Sequence, residues 1–129
     1  MILGIGIDIV EIHRIHTILK RQPQLLDRIF TEAEKQLLAG KAEGRLAEYV
    51  AGRFAAKEAG AKALGTGIGG AVGLHDIQIT PAPTGKPEMT ITDAACSRIG
   101  QDPSKLCIHL SITHSKEYAA AQVVIESKE

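Results

Sequence analysis

The chain has 129 residues, of which 44% are hydrophobic and only 3% are aromatic, so we expect one domain, residues 1–129, with a largely aliphatic core. Its 15 basic residues balance 15 acidic ones, and a chain without net charge has no overall field that would hold a nucleic acid or an anionic membrane non-specifically. The low aromatic content predicts a thin core, which association of several copies would bury further.

The lack of a recognisable targeting signal and the cysteine usage both favour an intracellular protein. The N-terminus has no positively charged leader before an apolar stretch, and no segment approaches the roughly 18 apolar residues of a membrane span. Cys96 and Cys107 lack the spacing of a metal site, and their small or apolar neighbours favour reduced structural thiols. We therefore expect an unprocessed cytoplasmic protein.

The first predicted element is a strand over residues 2–10. Alternate side chains of a strand point to opposite faces, so one face carries three isoleucines and the other carries two glycines followed by Asp8. The glycines are expected to clear space beside Asp8, whereas an ordinary exposed strand more often carries larger polar residues there. Asp8 is therefore either a cation ligand or an exposed or capping residue.

Three helices are predicted to follow this strand. The first runs over residues 11–20, and the second begins at Thr31, which forms a capping box with Glu34. The third and longest covers residues 44–64 and ends at Gly65. The apolar stripe predicted for this helix consists of Leu46, Val50, Phe54 and Ala61.

The second half of the chain is predicted to be mainly strands. Residues 74–80 and 87–92 form a hairpin candidate, and a short helix follows over residues 93–99. Two strands around a polar turn at residues 114–117 end the chain. This order predicts an α+β domain with helices packed on a largely antiparallel sheet.

The long helix carries the most concentrated set of charged residues. Phe54, Glu58 and Lys62 recur every fourth residue and share one face, flanked by Arg53 and Lys57. In an arbitrary helix, Glu58 and Lys62 would be a surface pair worth about 0.3–0.5 kcal/mol. Here a glycine-rich loop, GTGIGG, follows within one turn and can approach a ligand closely. A helix C-terminus disfavours anions, so the cations of this helix would have to hold a phosphate.

Two carboxylates and several histidines are candidates for chemistry. Mg²⁺ prefers oxygen ligands and often binds only one or two carboxylates, which suits Asp8 together with Glu58. His114, at the turn between the last two strands, is either a polar surface residue, a phosphate ligand or a proton shuttle. His13 and His16 have a spacing compatible with a metal but lack a third ligand, so we expect surface roles for both.

Five segments resemble, in order and spacing, the small bacterial holo-acyl-carrier-protein synthases. They are GIGIDIVEIHRI, FTEAE, AGRFAAKEAGAKALGTGIG, TGKP and SITHSKEYAAAQVVIE. The resemblance implies the 4'-phosphopantetheinyl transferase fold and a homotrimer with active sites at subunit interfaces. It also implies Mg²⁺-dependent transfer of 4'-phosphopantetheine from coenzyme A to a serine of an apo-acyl carrier protein. The products would be adenosine 3',5'-bisphosphate and a carrier active in fatty acid biosynthesis.

The resemblance also implies individual roles. Asp8 and Glu58 match the Mg²⁺ ligands, Lys62 the basic residue at the transferring phosphate, and His114 a catalytic-site histidine near the phosphoadenosine end. The positions that match the coenzyme A groove are Arg53, Gly65, Thr66, Gly67, Ile68 and Pro87. The positions that match the arginines docking the acidic carrier helix are Arg14 and Arg21.

Several points stay open at the level of sequence. The carrier is either that of fatty acid synthesis or one of secondary metabolism. A noncatalytic module that binds coenzyme A or a nucleotide is an alternative, and so is a purely structural trimeric scaffold. Within the transferase hypothesis, either Glu58 or a metal-linked water receives the serine proton.

Overall fold

The fold was analysed in a computed structural model that describes residues 1–128. Within that range there are five strands and five α-helices, with two short 3₁₀ turns at Leu74–Asp76 and Pro103–Lys105. In chain order the elements are β1 (Ile2–Glu11), α1 (Ile12–Arg21), α2 (Leu25–Ile29), α3 (Glu32–Gln36), α4 (Glu43–Ala63), β2 (Ile77–Pro81), β3 (Pro87–Ile91), α5 (Asp93–Arg98), β4 (Leu106–His114) and β5 (Tyr118–Ser127). None of the helices in the described range is both long and apolar enough to span a membrane.

The strands form two antiparallel sheets. One sheet has the order β1-β5-β4, and β2 and β3 form a separate hairpin. This arrangement confirms the α+β prediction, including the hairpin and the final strand pair. The short helix α2 was not predicted, because it lies directly after Pro23 and has only five residues. It nevertheless buries Ile29, which is 1% exposed.

Helix α4 packs directly on the glycine face of β1. A Cβ added at Gly4 would lie 1.8 Å from the carbonyl oxygen of Ala63, and one added at Gly6 would lie 1.8 Å from that of Ala59. The expectation that these glycines clear space beside Asp8 is therefore wrong. They allow two backbones to approach each other, and this contact sets the position of Asp8 relative to α4.

The buried surface of α4 is built mainly from alanine and glycine. Val50 and Ala61 of the predicted stripe are fully buried, but Leu46 and Phe54 are only partly buried. Large side chains could not lie between α4 and β1 at this separation, so small residues form most of the contact. The helix thus lies closer to the sheet than an ordinary amphipathic pattern would indicate.

Lys57 is a structural cation and is not available to a phosphate. Its side chain is 0% exposed, and Nζ lies 2.6 Å from Oε1 of Glu34 and 2.6 Å from the carbonyl oxygen of Ile29. Burial lowers the pKa of the Lys57 ammonium, and the hydrogen bond to Glu34 opposes that change. The grouping of Lys57 with the phosphate-binding cations is therefore wrong.

Glu34 connects this lysine to neighbouring elements. Its Oε2 accepts a hydrogen bond of 2.9 Å from the backbone N–H of Ile79 in β2. Its Oε1 also accepts from the N–H of Thr31, whose hydroxyl accepts from the N–H of Glu34, so the predicted capping box is confirmed. A helix cap and a buried ion pair thus share one carboxylate.

The face of the three-stranded sheet opposite α4 is open in the single chain. Ile5 is 60% exposed there, and Ile7 and Ile9 are each 65% exposed. Gln122 of β5, which pairs with Ile7 and Ser111, is also exposed. Three isoleucines in a row at such exposure form an unusual apolar surface for an isolated chain.

Candidate active site

Asp8 and Glu58 line one cavity of about 480 Å³. Asp8 continues the glycine face of β1, so its side chain points towards α4. Glu58 lies on α4 one turn before Lys62. The close contact between β1 and α4 therefore brings together two carboxylates that are far apart in the sequence.

Lys62 completes this charged group. Its Nζ lies 3.0 Å from Oδ1 of Asp8 and 3.1 Å from the carbonyl oxygen of Ile7. Half of the Lys62 side chain is exposed, compared with 20% of the Asp8 side chain, so the ammonium is accessible to a ligand. The three predicted residues Asp8, Glu58 and Lys62 are thus adjacent in the structure.

The electrostatic environment of Glu58 indicates a site suited to a cation. Partial burial raises the pKa of the Glu58 carboxyl above its ordinary value, and the negative charge of Asp8 raises it further. The ammonium of Lys62 acts in the opposite direction. A divalent cation between the two carboxylates would relieve their repulsion, and their oxygen atoms are the donors that Mg²⁺ prefers. The residues present therefore fit a magnesium ion.

The rest of this cavity is mostly apolar. Arg14, on the exposed side of α1, contributes a cation beside the two carboxylates. Arg21, the last residue of α1, is also exposed. The apolar lining consists of Ile9, Val10, Ile15, Ile18, Leu25, Ile29, Phe54 and Tyr118. Such a surface suits an amphipathic partner that carries negative charge.

A second, smaller cavity of about 180 Å³ lies between α4 and β4 and contains Arg53 and His114. The guanidinium carbon of Arg53 lies 4.3 Å from the ring centroid of Tyr49, and Nζ of Lys41 lies 4.5 Å from it. Arg45 adds a further cation. Among the described residues, the buried Nε of Arg53 has no hydrogen-bond partner. The cavity thus offers several positive charges.

His114 is separated from Asp8 and Glu58 within one chain. It is the last residue of β4 and lines the second cavity, where its Nε2 lies 3.5 Å from Oε2 of Glu48. The first cavity is lined by Asp8 and Glu58 and not by His114. A single chain therefore divides the predicted site residues into two groups.

Sequence reasoning missed part of the second cavity. Arg45, Tyr49 and Arg53 recur every fourth residue of α4, which places them on one helix face. That spacing was a usable signal for a cationic surface with an aromatic ring. Lys41 precedes the helix and becomes a neighbour only through folding.

The predicted groove residues after α4 have defined backbone roles. Gly65 and Gly67 adopt φ values of 84° and 65°, which favour glycine. Thr66 is exposed, whereas Ile68 packs against the main core cluster. Pro87 begins β3 and lines a separate cavity with residues of β4. The structure thus places the loop directly after Lys62 but does not bring Pro87 into either of the two cavities.

Comparisons with known proteins show what this chain is similar to. A family model described as the 4'-phosphopantetheinyl transferase superfamily matches residues 4–123. A holo-[acyl-carrier-protein] synthase of Shouchella clausii is 50% identical over 127 residues, which cover 98% of this chain and 100% of that protein.

Solved structures support the same relationship. A holo-(acyl-carrier-protein) synthase of Bacillus anthracis in complex with CoA (3',5'-ADP) has 46% identity and a TM-score of 0.84, with 99% of each chain covered. The enzyme of Helicobacter pylori in complex with coenzyme A has 34% identity and a TM-score of 0.80, with 95% of this chain and 99% of that chain covered. Both sequence and fold are thus similar along almost the whole chain.

Proposed function

The chain belongs to the 4'-phosphopantetheinyl transferase superfamily, and we propose that it is a holo-acyl-carrier-protein synthase of fatty acid biosynthesis. In this proposal, residues 1–129 form one transferase domain that moves 4'-phosphopantetheine from coenzyme A to a serine hydroxyl of an apo-acyl carrier protein. Adenosine 3',5'-bisphosphate is the leaving group. The observation that carries the proposal is the cavity shared by Asp8 and Glu58, with Lys62 bonded to Asp8.

Asp8 and Glu58 are proposed to hold a Mg²⁺ ion. When bound, this ion would supply positive charge to the diphosphate of coenzyme A. Burial is the main cause of the raised pKa of Glu58, and the repulsion from Asp8 that adds to it indicates two carboxylates close enough to influence each other. Lys62 is proposed to have two roles. Its ammonium pairs with Asp8 in the free chain, and its half-exposed side chain is accessible to a phosphate of coenzyme A.

Lys62 and Glu58 are proposed to handle charge and protons during transfer. The Lys62 ammonium can donate a hydrogen bond to the oxygen on the departing side, which stabilises the negative charge that develops there. Glu58 is the carboxylate of the cavity that Lys62 does not pair with, so it is the proposed acceptor for the serine proton, with a water in the same cavity as the alternative.

The cationic cavity of Arg53 and His114 is proposed to bind the phosphoadenosine end of coenzyme A. Arg53, Arg45 and Lys41 can compensate the charge of a phosphate. The ring of Tyr49 lies against two of these cations and holds them in place. Gly65–Ile68, which follow Lys62, are proposed to line the groove together with Pro87.

A homotrimer with active sites between subunits is the proposed assembly. The exposed Ile5, Ile7 and Ile9 supply an apolar surface that association would bury. The separation of His114 from Asp8 in one chain supports the same conclusion. A neighbouring copy seated on the open sheet face would supply the second group of site residues to the first.

The acidic carrier protein is proposed to dock on α1. Arg14 lies in the wall of the first cavity, and Arg21 lies seven residues further along the same helix. Opposite charges across such a contact increase the association rate and fix the orientation of the partner. The apolar wall beside Arg14 would contact the carrier next to its serine.

A mass-shift assay tests this function. The chain is mixed with a purified apo-acyl carrier protein, coenzyme A and Mg²⁺, with and without a chelator, and the intact carrier mass is measured. We expect a gain equal to one phosphopantetheine group that requires metal. A carrier that keeps its mass, while coenzyme A still binds, would show a noncatalytic binding module instead. Apo-carriers of secondary metabolism in parallel reactions distinguish the two carrier classes.

A further inference from the structure

Three potential metal ligands meet on the open side of the three-stranded sheet. Sγ of Cys107 lies 3.5 Å from Nε2 of His109, and this nitrogen lies 2.7 Å from Oε1 of Glu126. All three ligand atoms lie within 4.8 Å of one another. A thiol, an imidazole and a carboxylate in one cluster form a set of donors that suits a metal ion.

Strand pairing produces this cluster. Cys107 and His109 are two residues apart in β4, so their side chains share one face. Cys107 pairs directly with Glu126 of β5, and His109 pairs with Val124. Glu126 is therefore directly opposite Cys107 and diagonal to His109. Directly opposite and diagonal residues are the closest side-chain neighbours across a sheet.

We propose that Cys107, His109 and Glu126 form a binding site for one transition-metal cation of the zinc class. Zinc accepts sulfur, nitrogen and oxygen donors in tetrahedral geometry. In that geometry the usual Zn–S and Zn–N bond lengths place a sulfur ligand about 3.6 Å from a nitrogen ligand. The observed 3.5 Å between Sγ of Cys107 and Nε2 of His109 agrees with this value. His109 and Glu126 are hydrogen-bonded at 2.7 Å in the metal-free chain, and a zinc ion between them would move these two atoms apart to about 3.4 Å. Glu126 completes a three-ligand set, and water takes the fourth position.

The donor chemistry distinguishes this site from the proposed magnesium site. Mg²⁺ requires oxygen ligands and octahedral geometry, which Cys107 and His109 do not provide. Sulfur and imidazole select zinc, cobalt and similar ions. The two sites are therefore expected to bind different metals from the same solution.

The cluster is also remote from the carboxylate pair. Asp8 pairs with Ala121 and faces α4, whereas Glu126 lies five residues further along β5 and faces the open side. The cluster lies on the face that the proposed trimer would cover, but at the end of the sheet where β1 begins, since Ile2 is the partner of Glu126 there. A metal at this end would link the edge strand β4 to the central strand β5. Because the metal would bind the paired strands β4 and β5 and not the separated strands of the unfolded chain, it would stabilise the fold.

Cobalt provides the direct test. The full-length chain, reduced and freed of metals, is titrated with Co²⁺ alone, and the near-ultraviolet absorption of a cobalt–thiolate bond is recorded. We expect one equivalent to bind with this band, and Zn²⁺ alone to displace it and to raise the melting temperature. Cys107→Ser should abolish the band. His109→Ala and Glu126→Gln should each weaken metal binding by at least about tenfold.

Matched controls separate this site from other metal-binding groups. The double variant His13→Ala/His16→Ala removes a histidine pair on α1 and should leave the titration unchanged. Circular dichroism and melting of each metal-free variant report whether it is folded. The proposal is overturned if the wild-type chain gives no thiolate band. It is equally overturned if folded His109→Ala and Glu126→Gln chains bind as tightly as the wild type, because a lone thiol would then explain the band.

Discussion

Nζ of Lys62 lies 3.0 Å from Oδ1 of Asp8, although the two residues are 54 positions apart in the chain. The contact exists because Gly4 and Gly6 allow β1 to lie directly on the backbone of α4. Burial and the negative charge of Asp8 raise the pKa of the other carboxyl, Glu58, and the ammonium of Lys62 lowers it. The contact between β1 and α4 therefore also brings together the charged groups of the proposed site.

Removal of either carboxylate charge should abolish most of the transfer activity. We expect Glu58→Gln and Asp8→Asn each to lower turnover by about 100-fold or more, since each loses a proposed metal ligand. Phosphopantetheinylation of the carrier, followed by mass spectrometry, measures the loss. Glu43→Gln changes an exposed glutamate of α4 that lines neither cavity and is the matched control. Near-normal turnover of either variant would contradict the proposed metal site.

The contribution of Glu58 to the stability of the metal-free protein should fall as the pH rises through the range in which Glu58 ionises. A carboxyl whose pKa is raised by folding binds its proton more tightly in the folded state, so stability is greatest at low pH within that window. The window extends from the ordinary glutamate pKa up to the raised value of Glu58. In Glu58→Gln this contribution is absent.

Chemical denaturation of both chains from about pH 4 to pH 8 measures this difference. We expect Glu58→Gln to be at least as stable as the wild type at neutral pH without metal. Mg²⁺ should reverse the order by stabilising only the wild type. A wild type that is more stable than Glu58→Gln at neutral pH in a chelator would refute the predicted electrostatic cost.

A methyl group at Gly6 should separate β1 from α4. Its carbon would lie 1.8 Å from the carbonyl oxygen of Ala59, so we expect Gly6→Ala to destabilise the fold by about 3 kcal/mol or more. Gly44, in the first turn of α4, has no atom within 4 Å of an added Cβ. Gly44→Ala should therefore stabilise the protein by about 0.5–1 kcal/mol. Urea unfolding of the two variants checks the contrast, and equal effects would exclude the close backbone contact.

Loss of the buried lysine should unfold the protein more readily than loss of an exposed one. Lys57→Met leaves the carboxylate of Glu34 buried without its cation, which we expect to cost about 3–5 kcal/mol. Lys35→Met removes a lysine that pairs with Asp27 and Glu32 on the surface and should change the melting temperature much less.

A double-mutant cycle tests whether Lys57 and Glu34 act as a pair. Lys57→Met combined with Glu34→Gln should cost less than the sum of the single changes, because no uncompensated charge remains. Additive effects in thermal unfolding would show that the two residues contribute independently. Such a result would contradict an energetic coupling between Lys57 and Glu34.

Two inactive chains should restore activity to each other if active sites lie between subunits. Asp8→Asn disables one group of residues, and His114→Ala disables the other. In each trimer that contains both chains, one site in three would combine two intact groups, so about one third of the sites should recover. Co-expression with two affinity tags, tandem purification and the transfer assay measure this recovery.

A mixture of Asp8→Asn with Glu58→Gln is the matched control, because both changes affect the same group and should not complement. Light scattering of each preparation gives the number of chains in the assembly. An inactive Asp8→Asn/His114→Ala mixture in a confirmed trimer would place both groups within one chain. A monomer would exclude the interfacial site altogether.

The sequence by itself determined most of the elements, with the exception of α2, and the residues of the carboxylate pair. Strand alternation, the capping box at Thr31 and the glycine that ends α4 are local properties, and each is confirmed. The resemblance to a known family likewise depends on residues in order along the chain, and the family match over residues 4–123 confirms it. These features need no long-range contact to be recognised.

Only the tertiary structure decided which charges are available and which side chains meet. The sequence presented Lys57 and Lys62 as equivalent cations, but packing buries Lys57 against Glu34 and leaves Lys62 beside Asp8. Cys107 and His109 acquired Glu126 as a neighbour through strand register alone. Burial and pairing across the sheet depend on elements distant in sequence, and the periodicity of a single segment carries no information about them.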